Sequence, residues 1–377
     1  MPGFLPYGRQ TIDDDDIAAV AEALRSDYLT TGPRVDAFEA AFAERVGAKH
    51  AVACSNGTAA LHMATIALGV GPGDVCIVPA ITFLATANCV RFQGGDVIFA
   101  DVDPLTGLMT QATLAEALDQ ASGAVRAVLP VHLAGRQCDM PAIKMLADEA
   151  GAAVVEDACH ALGSVADFGQ AGDCAYSAMA GFSFHPVKTI ATGEGGMVTT
   201  NDAELAAKLR LARSHGMVRE GMSEPWAYEQ RMLGYNYRLP DLNCALGLSQ
   251  LHKLDAFVER RRMLASRYDE LLRPMNAVSV ITTEGRPGFH LYVALIDFEA
   301  AGVSRAEVMA RLAEQGVGSQ VHYIPVQTQP YYRDRYGDQH LPGAAAWYER
   351  CLSLPLYPGM ADDDPGRVVE ALSKALS

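Results

Sequence analysis

Apolar and polar positions near the start of the chain recur at helical spacing. Residues 13–25 and Val35–Arg45 show this pattern. The first segment follows Thr11 and begins with a run of aspartates, which suit the positive end of a helix. The second begins just after Pro33 and is followed by Gly47, as expected for a helix with proline in its first turn and glycine beyond its end. The sequence therefore predicts two N-terminal helices.

Short apolar runs then alternate with helical patterns, which is typical of buried strands in a parallel sheet covered by helices on both faces. The predicted strands are Ala51–Cys54, Val75–Val78, Val97–Phe99, Val125–Val131, Ala152–Val155, 174–184 and 196–200. The predicted helices are Thr58–Leu68, 82–92, 112–120, 140–149 and 202–213. This order predicts an α/β fold with a mostly parallel sheet.

A long helical pattern over residues 249–272 precedes the C-terminal part of the chain, where residues 285–377 read as strands and helices of a smaller unit. The chain has 377 residues, enough for two domains. We predict a large domain over residues 1–250 and a small α+β domain over 251–377.

Composition narrows the class of protein. The net charge is −15 and no dense Lys/Arg stripe occurs, so we expect no nucleic-acid partner. We also expect no membrane span, because no uncharged apolar stretch reaches about 18 residues. The N-terminus lacks the pattern of a signal peptide. Eight cysteines without a C-x-x-C pair favour reduced thiols over a metal site, and we expect a cytoplasmic protein.

One lysine, Lys188, lies among apolar and small residues between Phe182 and the glycine-rich turn Gly193–Gly196. An apolar setting can lower the pKa of a lysine and leave a neutral amine able to attack a carbonyl group. Ser183, five residues earlier, could bind a phosphate in the same pocket. The alternative is an ordinary surface lysine after a strand and a turn, and this segment alone does not separate the two.

Asp157 follows the predicted strand Ala152–Val155 and Glu156, so an acidic side chain lies at the carboxyl end of that strand. Ligands of α/β proteins bind at the carboxyl ends of strands, and a buried carboxylate there needs a cationic partner. A protonated pyridine nitrogen is one such partner. His160 follows three residues later and could contact either Asp157 or the ring. The alternative is an acid that caps a helix.

Two further segments follow strands directly. Gly57 and Thr58 open a predicted helix, whose N–H groups and dipole favour a phosphate. Phe83 could stack on a flat ring at the mouth of a pocket. The alternatives are a helix cap without a ligand and a core aromatic. Neither a Walker loop nor a dinucleotide-binding glycine motif occurs, which argues against an NAD-dependent enzyme.

Taken in order, the phosphate loop, the aromatic, Asp-x-x-His and Ser-Phe-His-x-x-Lys with Gly-Glu-Gly-Gly resemble the DegT/StrS-type sugar aminotransferases. The resemblance covers nearly the whole chain. It implies the aspartate-aminotransferase-like fold type I of enzymes that use pyridoxal 5'-phosphate (PLP), with a seven-stranded, mostly parallel sheet in the large domain.

The resemblance also implies residue roles. Lys188 would hold PLP covalently, Asp157 would pair with the ring nitrogen and His160 would lie near the ring. The implied cofactor-binding residues are Gly57, Thr58, Phe83, Asp157, His160, Ser183, Lys188 and Asn236. Asn236 would reach the cofactor of the neighbouring subunit, which implies a homodimer with shared active sites. The implied substrate-binding residues are Tyr7, Tyr28, Leu29, Thr30, Thr31, Gln320, Val321, His322 and Tyr323.

The segments most similar to one branch of that family are Arg213–Met217, Asn236–Leu239, Ala245–Leu251 and Gln320–Pro325, and Ile81–Asn88 also fits it. Its members transfer an amino group from L-glutamate to C4 of a UDP-linked 4-keto-6-deoxy-N-acetylhexose in pseudaminic acid biosynthesis. A GDP-perosamine-type aminotransferase, another PLP reaction and a non-catalytic PLP-binding regulatory protein stay open as alternatives. The family's dehydrases carry histidine in place of the lysine, so Lys188 argues against that branch.

Overall fold

The computed structural model describes residues 3–282 and 284–377. The helices are α1 (Asp14–Arg25), α2 (Pro33–Val46), α3 (Gly57–Ala67), α4 (Leu84–Phe92), α5 (Gln111–Asp119), α6 (Met140–Glu149), α7 (Ala203–Arg213), α8 (Asp241–His252), α9 (Leu254–Leu272), α10 (Arg305–Glu314), α11 (Pro330–Tyr336), α12 (Pro342–Arg350) and α13 (Asp364–Ala375).

The strands form one large sheet and three small ones. They are β1 (His50–Cys54), β2 (Val75–Pro79), β3 (Asp96–Ala100), β4 (Val125–Val128), β5 (Ala153–Asp157), β6 (Val165–Ala166), β7 (Gly169–Gln170), β8 (Met179–Ser183), β9 (Gly196–Thr200), β10 (Met217–Val218), β11 (Glu229–Gln230), β12 (Val278–Val280), β13 (Tyr292–Ile296) and β14 (Cys351–Leu354).

The large sheet has seven strands in the order β1-β9-β8-β5-β4-β2-β3. Neighbouring strands from β8 to β3 pair in parallel, whereas β9 runs antiparallel to both β8 and β1. Parallel neighbours need a long crossover connection, but only residues 184–195 join β8 to β9, so the chain reverses direction there. The predicted α/β fold with a seven-stranded, mostly parallel sheet is confirmed.

Helices cover the sheet, and their ends follow the predicted signals. Asp13 caps α1 through its carboxylate, which accepts the N–H groups of Asp15 and Asp16. Gly47 ends α2 with φ of 75°, a left-handed conformation that glycine adopts without steric cost. Both N-terminal helices are therefore confirmed. Among the described helices, none has the length and apolar character required to cross a membrane.

A second core forms in the C-terminal part of the chain. Strands β12, β13 and β14 form an antiparallel sheet. Apolar residues of α9, α10 and α13 pack against this sheet, among them Tyr268, Leu312 and Leu372. Val326 and Tyr332 instead join the core of the large sheet, so the C-terminal part contacts both. The division near residue 250 stays a prediction.

Two predicted elements have different bounds. The helix predicted over 249–272 is two helices, because the Lys253 N–H bonds the carbonyl of Gln250, three residues back, and the chain turns there. The strand predicted over 174–184 starts only at Met179, since Cys174 has φ of 55° and Asp173 accepts the N–H of Ala175 in a turn.

Candidate active site

A cavity of about 900 Å³ opens beside the carboxyl ends of β2, β5 and β8. One wall comes from the large sheet and its loops, and the other from residues 320–324 and His290. It brings together predicted residues that lie far apart in sequence: Tyr7, Gly57, Thr58, Phe83, Asp157, His160, Ser183, Lys188, Gln320, Val321, His322 and Tyr323.

The start of α3 forms one end of this cavity. The Asn56 side chain accepts the N–H of Ala59 at 2.8 Å, which leaves the N–H groups of Gly57 and Thr58 without an acceptor inside the helix. A Cβ on Gly57 would lie 2.7 Å from the Cβ of Ser183, so only glycine brings the helix start this close to the end of β8. Two N–H groups, the helix dipole and a serine therefore converge where a phosphate can bind.

Asp157 is the last residue of β5 and is buried. Its Oδ2 accepts a hydrogen bond from Thr86 Oγ1 at 2.7 Å, and its Oδ1 accepts the N–H of Cys159 at 3.1 Å. Thr86 is hydrogen-bonded in turn to Thr82, with 2.7 Å between the hydroxyl oxygens. These partners are all neutral, so they orient the carboxylate without neutralising its charge.

Lys188 lies in the loop between β8 and β9, where its backbone N–H donates to the carbonyl of His185 at 2.8 Å. Its side chain is half-buried in the cavity wall. Burial lowers the pKa of Lys188, and the nearby Cys159 and Asp157 only partly oppose this effect. A larger fraction of the amine is therefore neutral near pH 7 than for a lysine in water.

His160 is buried between the two walls. Its Nδ1 accepts the N–H of Ala134 at 3.3 Å, and its Nε2 lies 3.1 Å from the hydroxyl oxygen of Tyr323. Burial and, secondarily, the charge of Lys188 hold the pKa of His160 well below 6.5. The ring centres of Phe83 and Tyr323 are 6.0 Å apart, and Phe83 is 55% exposed at the cavity mouth, where a flat ring can stack on it.

Two groups of predicted residues lie outside this cavity within one chain. Tyr28 to Thr31 are exposed beside the start of α8, where the carbonyl of Leu29 accepts the N–H of Asp241. Asn236 is exposed in a loop that pairs with Ser214. The roles assigned to these residues, like those of the cavity residues, stay predictions.

Sequence reasoning missed several residues of the site. Thr82 and Thr86 are four residues apart, directly after β2, and the helix predicted over 82–92 would place both hydroxyls on one side, a signal that could have found them. His290 and Tyr237 also line the cavity. No local pattern marks His290, whereas Tyr237 follows Asn236 in a segment that the resemblance already named without giving Tyr237 a role.

The residues present fit PLP. Gly57 leaves room for a phosphate, Asp157 offers an unneutralised carboxylate, and Lys188 offers an amine with a lowered pKa. These three features lie around one cavity whose mouth carries the exposed ring of Phe83. Such a set matches the phosphate, the ring nitrogen, the aldehyde and the flat face of that cofactor.

Comparisons with known proteins agree with this fit. The profile of the DegT/DnrJ/EryC1/StrS aminotransferase family matches residues 10–373. The chain is 41% identical to the spore coat polysaccharide biosynthesis protein SpsC of Bacillus subtilis (strain 168), over 98% of this chain and 96% of that protein.

Solved structures are similar over almost their full length. PseC from Helicobacter pylori, an aminotransferase of pseudoaminic acid biosynthesis, has a TM-score of 0.93 at 28% identity, with 99% of each chain covered. Spr1654 from Streptococcus pneumoniae in its PMP form has a TM-score of 0.91 at 26% identity, again with 99% of each chain covered. The PLP form of Spr1654 is also similar, with a TM-score of 0.90. The chain belongs to the DegT/DnrJ/EryC1/StrS family and is a sugar aminotransferase.

Proposed function

We propose that this enzyme uses PLP held by Lys188 to move the amino group of L-glutamate to C4 of a nucleotide-linked 4-keto-6-deoxy sugar. One observation carries the proposal: Lys188, with its lowered pKa, and Asp157, with only neutral partners, line the same open cavity. A lysine with a lowered pKa and a carboxylate whose hydrogen-bond partners are neutral are the two groups that a PLP-dependent transamination requires of the protein.

Lys188 is the group that moves protons. Because burial lowers its pKa, Nζ can accept a proton from the carbon that carries the amino group and return it to the acceptor carbon. Asp157 would pair with the ring nitrogen of bound PLP, because its own hydrogen bonds come from neutral donors, Thr86 and a backbone N–H. Bound PLP would supply an electron sink that draws charge away from the reacting carbon.

Tyr7, Gln320 and His322 line the cavity, and we assign them to the substrate. We propose a UDP-linked 4-keto-6-deoxy-N-acetylhexose, as in pseudaminic acid biosynthesis. The similarity to PseC over 99% of both chains supports this substrate. The higher identity to SpsC, a spore coat polysaccharide protein, favours testing other nucleotide sugars as well, including GDP-linked ones.

We further propose a cytoplasmic homodimer in which Asn236 of one protomer reaches the cofactor phosphate of its partner. Asn236 lies outside its own chain's cavity, and Trp226 and Leu233, which precede it in the sequence, are 74% and 77% exposed. A partner that covered these side chains would remove their apolar surface from water. The free state of the cysteines supports a reducing compartment.

The test of function uses purified protein with PLP and L-glutamate, with 2-oxoglutarate as the measured product. Without a sugar, we expect at most one equivalent of 2-oxoglutarate per active site. A panel of UDP-, GDP- and dTDP-linked 4-keto sugars should then produce turnover with one nucleotide class in preference to the others. Turnover with none of them would overturn the proposed activity and favour a regulatory PLP-binding protein.

Lys188→Ala should abolish both 2-oxoglutarate formation and the long-wavelength absorbance of lysine-bound PLP. Lys208→Ala is the matched control, because Lys208 is exposed on α7. For the dimer, inactive Lys188→Ala and Asn236→Ala proteins are mixed after mild unfolding. If the two subunits share their active sites, each mixed dimer has one complete site, and activity should return. A mixture that stays inactive would contradict shared active sites.

A further inference from the structure

The hydrogen bonds of His160 fix the position of its proton. The N–H of Ala134 can only donate, so His160 Nδ1 must be the acceptor in the 3.3 Å contact between them. Burial holds the pKa of His160 well below 6.5, which keeps the imidazole neutral at physiological pH. A neutral imidazole without a proton on Nδ1 carries it on Nε2. His160 therefore donates Nε2–H to the hydroxyl oxygen of Tyr323, 3.1 Å away.

This assignment determines what Tyr323 can do. Its oxygen is the acceptor toward His160, so its own O–H proton must point elsewhere. Among the described residues, His160 is the one hydrogen-bond partner of the Tyr323 hydroxyl. Burial raises the pKa of Tyr323 well above 10, so the hydroxyl keeps its proton. The side chain lines the cavity together with Lys188 and Phe83.

Tyr323 is half-buried, and an O–H donor that has no acceptor among the described residues needs a ligand or a water in the cavity to accept its proton. The cavity beside Lys188 is where such a ligand would bind. Building on the proposed aminotransferase function, we propose that Tyr323 donates a hydrogen bond to a ligand oxygen beside Lys188, and that His160 is the positioning residue that turns this hydroxyl toward it. The acceptor is an oxygen with a developing negative charge, carried either by the cofactor ring or by the keto group.

The position of the proton on His160 can be measured without any activity. Nitrogen NMR of the cofactor-free protein labelled with ¹⁵N-histidine should show His160 with a protonated Nε2 and a bare Nδ1. The spectrum of His160→Gln identifies the signal by its loss. A protonated Nδ1 would overturn the proposal, whatever the enzyme's substrate proves to be.

The second measurement is turnover. Tyr323→Phe should lower kcat roughly 10²-fold, the effect of removing one donor to a developing charge, while KM for the sugar nucleotide changes little. Tyr176→Phe is the matched control, since Tyr176 packs against Phe168 away from the cavity. An unchanged kcat in Tyr323→Phe would contradict the proposed donor.

The third measurement separates positioning from a structural role. His160→Leu should reduce kcat like Tyr323→Phe, and the double variant should lose no more, because both changes remove one shared interaction. His160→Gln should retain most of the rate, since an amide can accept from Ala134 and donate to Tyr323. Losses that add in the double variant, or a glutamine as slow as leucine, would show that His160 does not act through Tyr323.

A pH titration of the absorbance of lysine-bound PLP distinguishes the two possible acceptors. If Tyr323→Phe shifts the pKa of the lysine-bound PLP, the acceptor of the Tyr323 hydrogen bond is the cofactor oxygen. If that pKa is unchanged while turnover is slow, the acceptor is the keto oxygen. Failure of the proposed function gives a different result. No sugar would be converted by the parent enzyme, but the NMR spectrum would still show which nitrogen of His160 carries the proton.

Discussion

Two adjacent carboxylates at the end of β5, Glu156 and Asp157, are both buried but have opposite surroundings. Neighbouring residues of a strand point to opposite faces of the sheet. Glu156 Oε2 accepts from His132 Nε2 at 2.9 Å and from the N–H of Gly172 at 3.2 Å, and its Oε1 accepts from Ser177 Oγ at 2.6 Å. The protein thus surrounds this carboxylate with donors.

Asp157 has fewer partners within the described chain. It accepts one hydrogen bond from Thr86 and one from the N–H of Cys159, and it lines the cavity that contains Lys188. The difference shows how one strand can serve two purposes. A buried acid whose acceptor sites are filled by the protein stabilises the fold, while one left short of donors at a strand's carboxyl end can hold a ligand's positive charge.

The strongest way to test this comparison is Asp157→Asn. The amide removes the negative charge, but its oxygen can still accept the Cys159 N–H while its N–H₂ donates to the Thr86 hydroxyl, so the fold should stay intact. Activity should fall roughly 10²- to 10⁴-fold, because removing one partner of a buried charge pair costs roughly 3–5 kcal/mol. The measurement is kcat with saturating PLP, alongside a thermal unfolding curve.

The matched control for that change is Asp119→Asn, which alters an exposed carboxylate at the end of α5. It should leave both kcat and the thermal midpoint unchanged. If Asp157→Asn instead destabilised the protein strongly and kept its rate, Asp157 would belong with Glu156 as a structural acid.

The opposite behaviour is expected for Glu156→Gln. The amide N–H₂ would face donors from His132, Gly172 or Ser177, so at least one buried donor would lose its acceptor. The free energy of unfolding should fall by about 3 kcal/mol, with kcat of the remaining folded enzyme close to normal. Urea denaturation followed by circular dichroism measures the loss.

Glu149→Gln makes the same chemical change at an exposed position at the end of α6, so it should not move the urea midpoint. A Glu156→Gln protein as stable as the parent, but slow, would reverse the roles assigned to the two acids.

Sequence patterns could predict much of the sheet and part of this comparison. The apolar run before Asp157 places an acid at a strand end, and Lys188 stands out among apolar neighbours. The pattern could not tell which acid is satisfied by the protein, because the donors to Glu156 come from His132 and Ser177 in other segments. Only the fold brings those donors together.

Other differences between the predictions and the structure also come from contacts that the pattern of apolar positions does not show. The turn at Lys253 depends on a carbonyl three residues back, and periodicity continues smoothly through it. Tyr28 to Thr31 and Asn236 were assigned by resemblance, and a single chain leaves them outside its own cavity. Local patterns do not show which loops reach the cavity, so the roles of these five residues stay predictions.

Acid should lower the free energy of unfolding through the buried His322, which lies on the cavity wall opposite Asp157. Burial lowers the pKa of His322 to about 3, whereas an unfolded histidine titrates near 6.5. Below pH 6.5 the unfolded state therefore binds a proton that the folded state does not bind. The contribution of His322 to the free energy of unfolding is present above pH 6.5 and is lost as the pH falls from there toward 3. The loss should reach ~2 kcal/mol for this residue at pH 5.

Urea midpoints at pH 7.5, 6 and 5 measure that loss, and His322→Asn should have a shallower dependence on pH than the parent. His252→Asn is the control, because His252 is exposed on α8 and should not change the slope. Equal slopes for the parent and His322→Asn would mean that His322 is protonated in the folded protein.

The smallest expected effect concerns the support of Asp157. Thr86→Val keeps the shape of the side chain but removes the 2.7 Å hydrogen bond to Oδ2, so only the Cys159 N–H still orients the carboxylate. We expect a loss of roughly tenfold in kcat, since a hydrogen bond to a charged group contributes about 1.5 kcal/mol. Thr86→Ser retains the hydroxyl and should keep the parent rate. If valine and serine gave the same rate, the backbone N–H alone would suffice to hold Asp157, and the threonine hydroxyl would stabilise only its own helix.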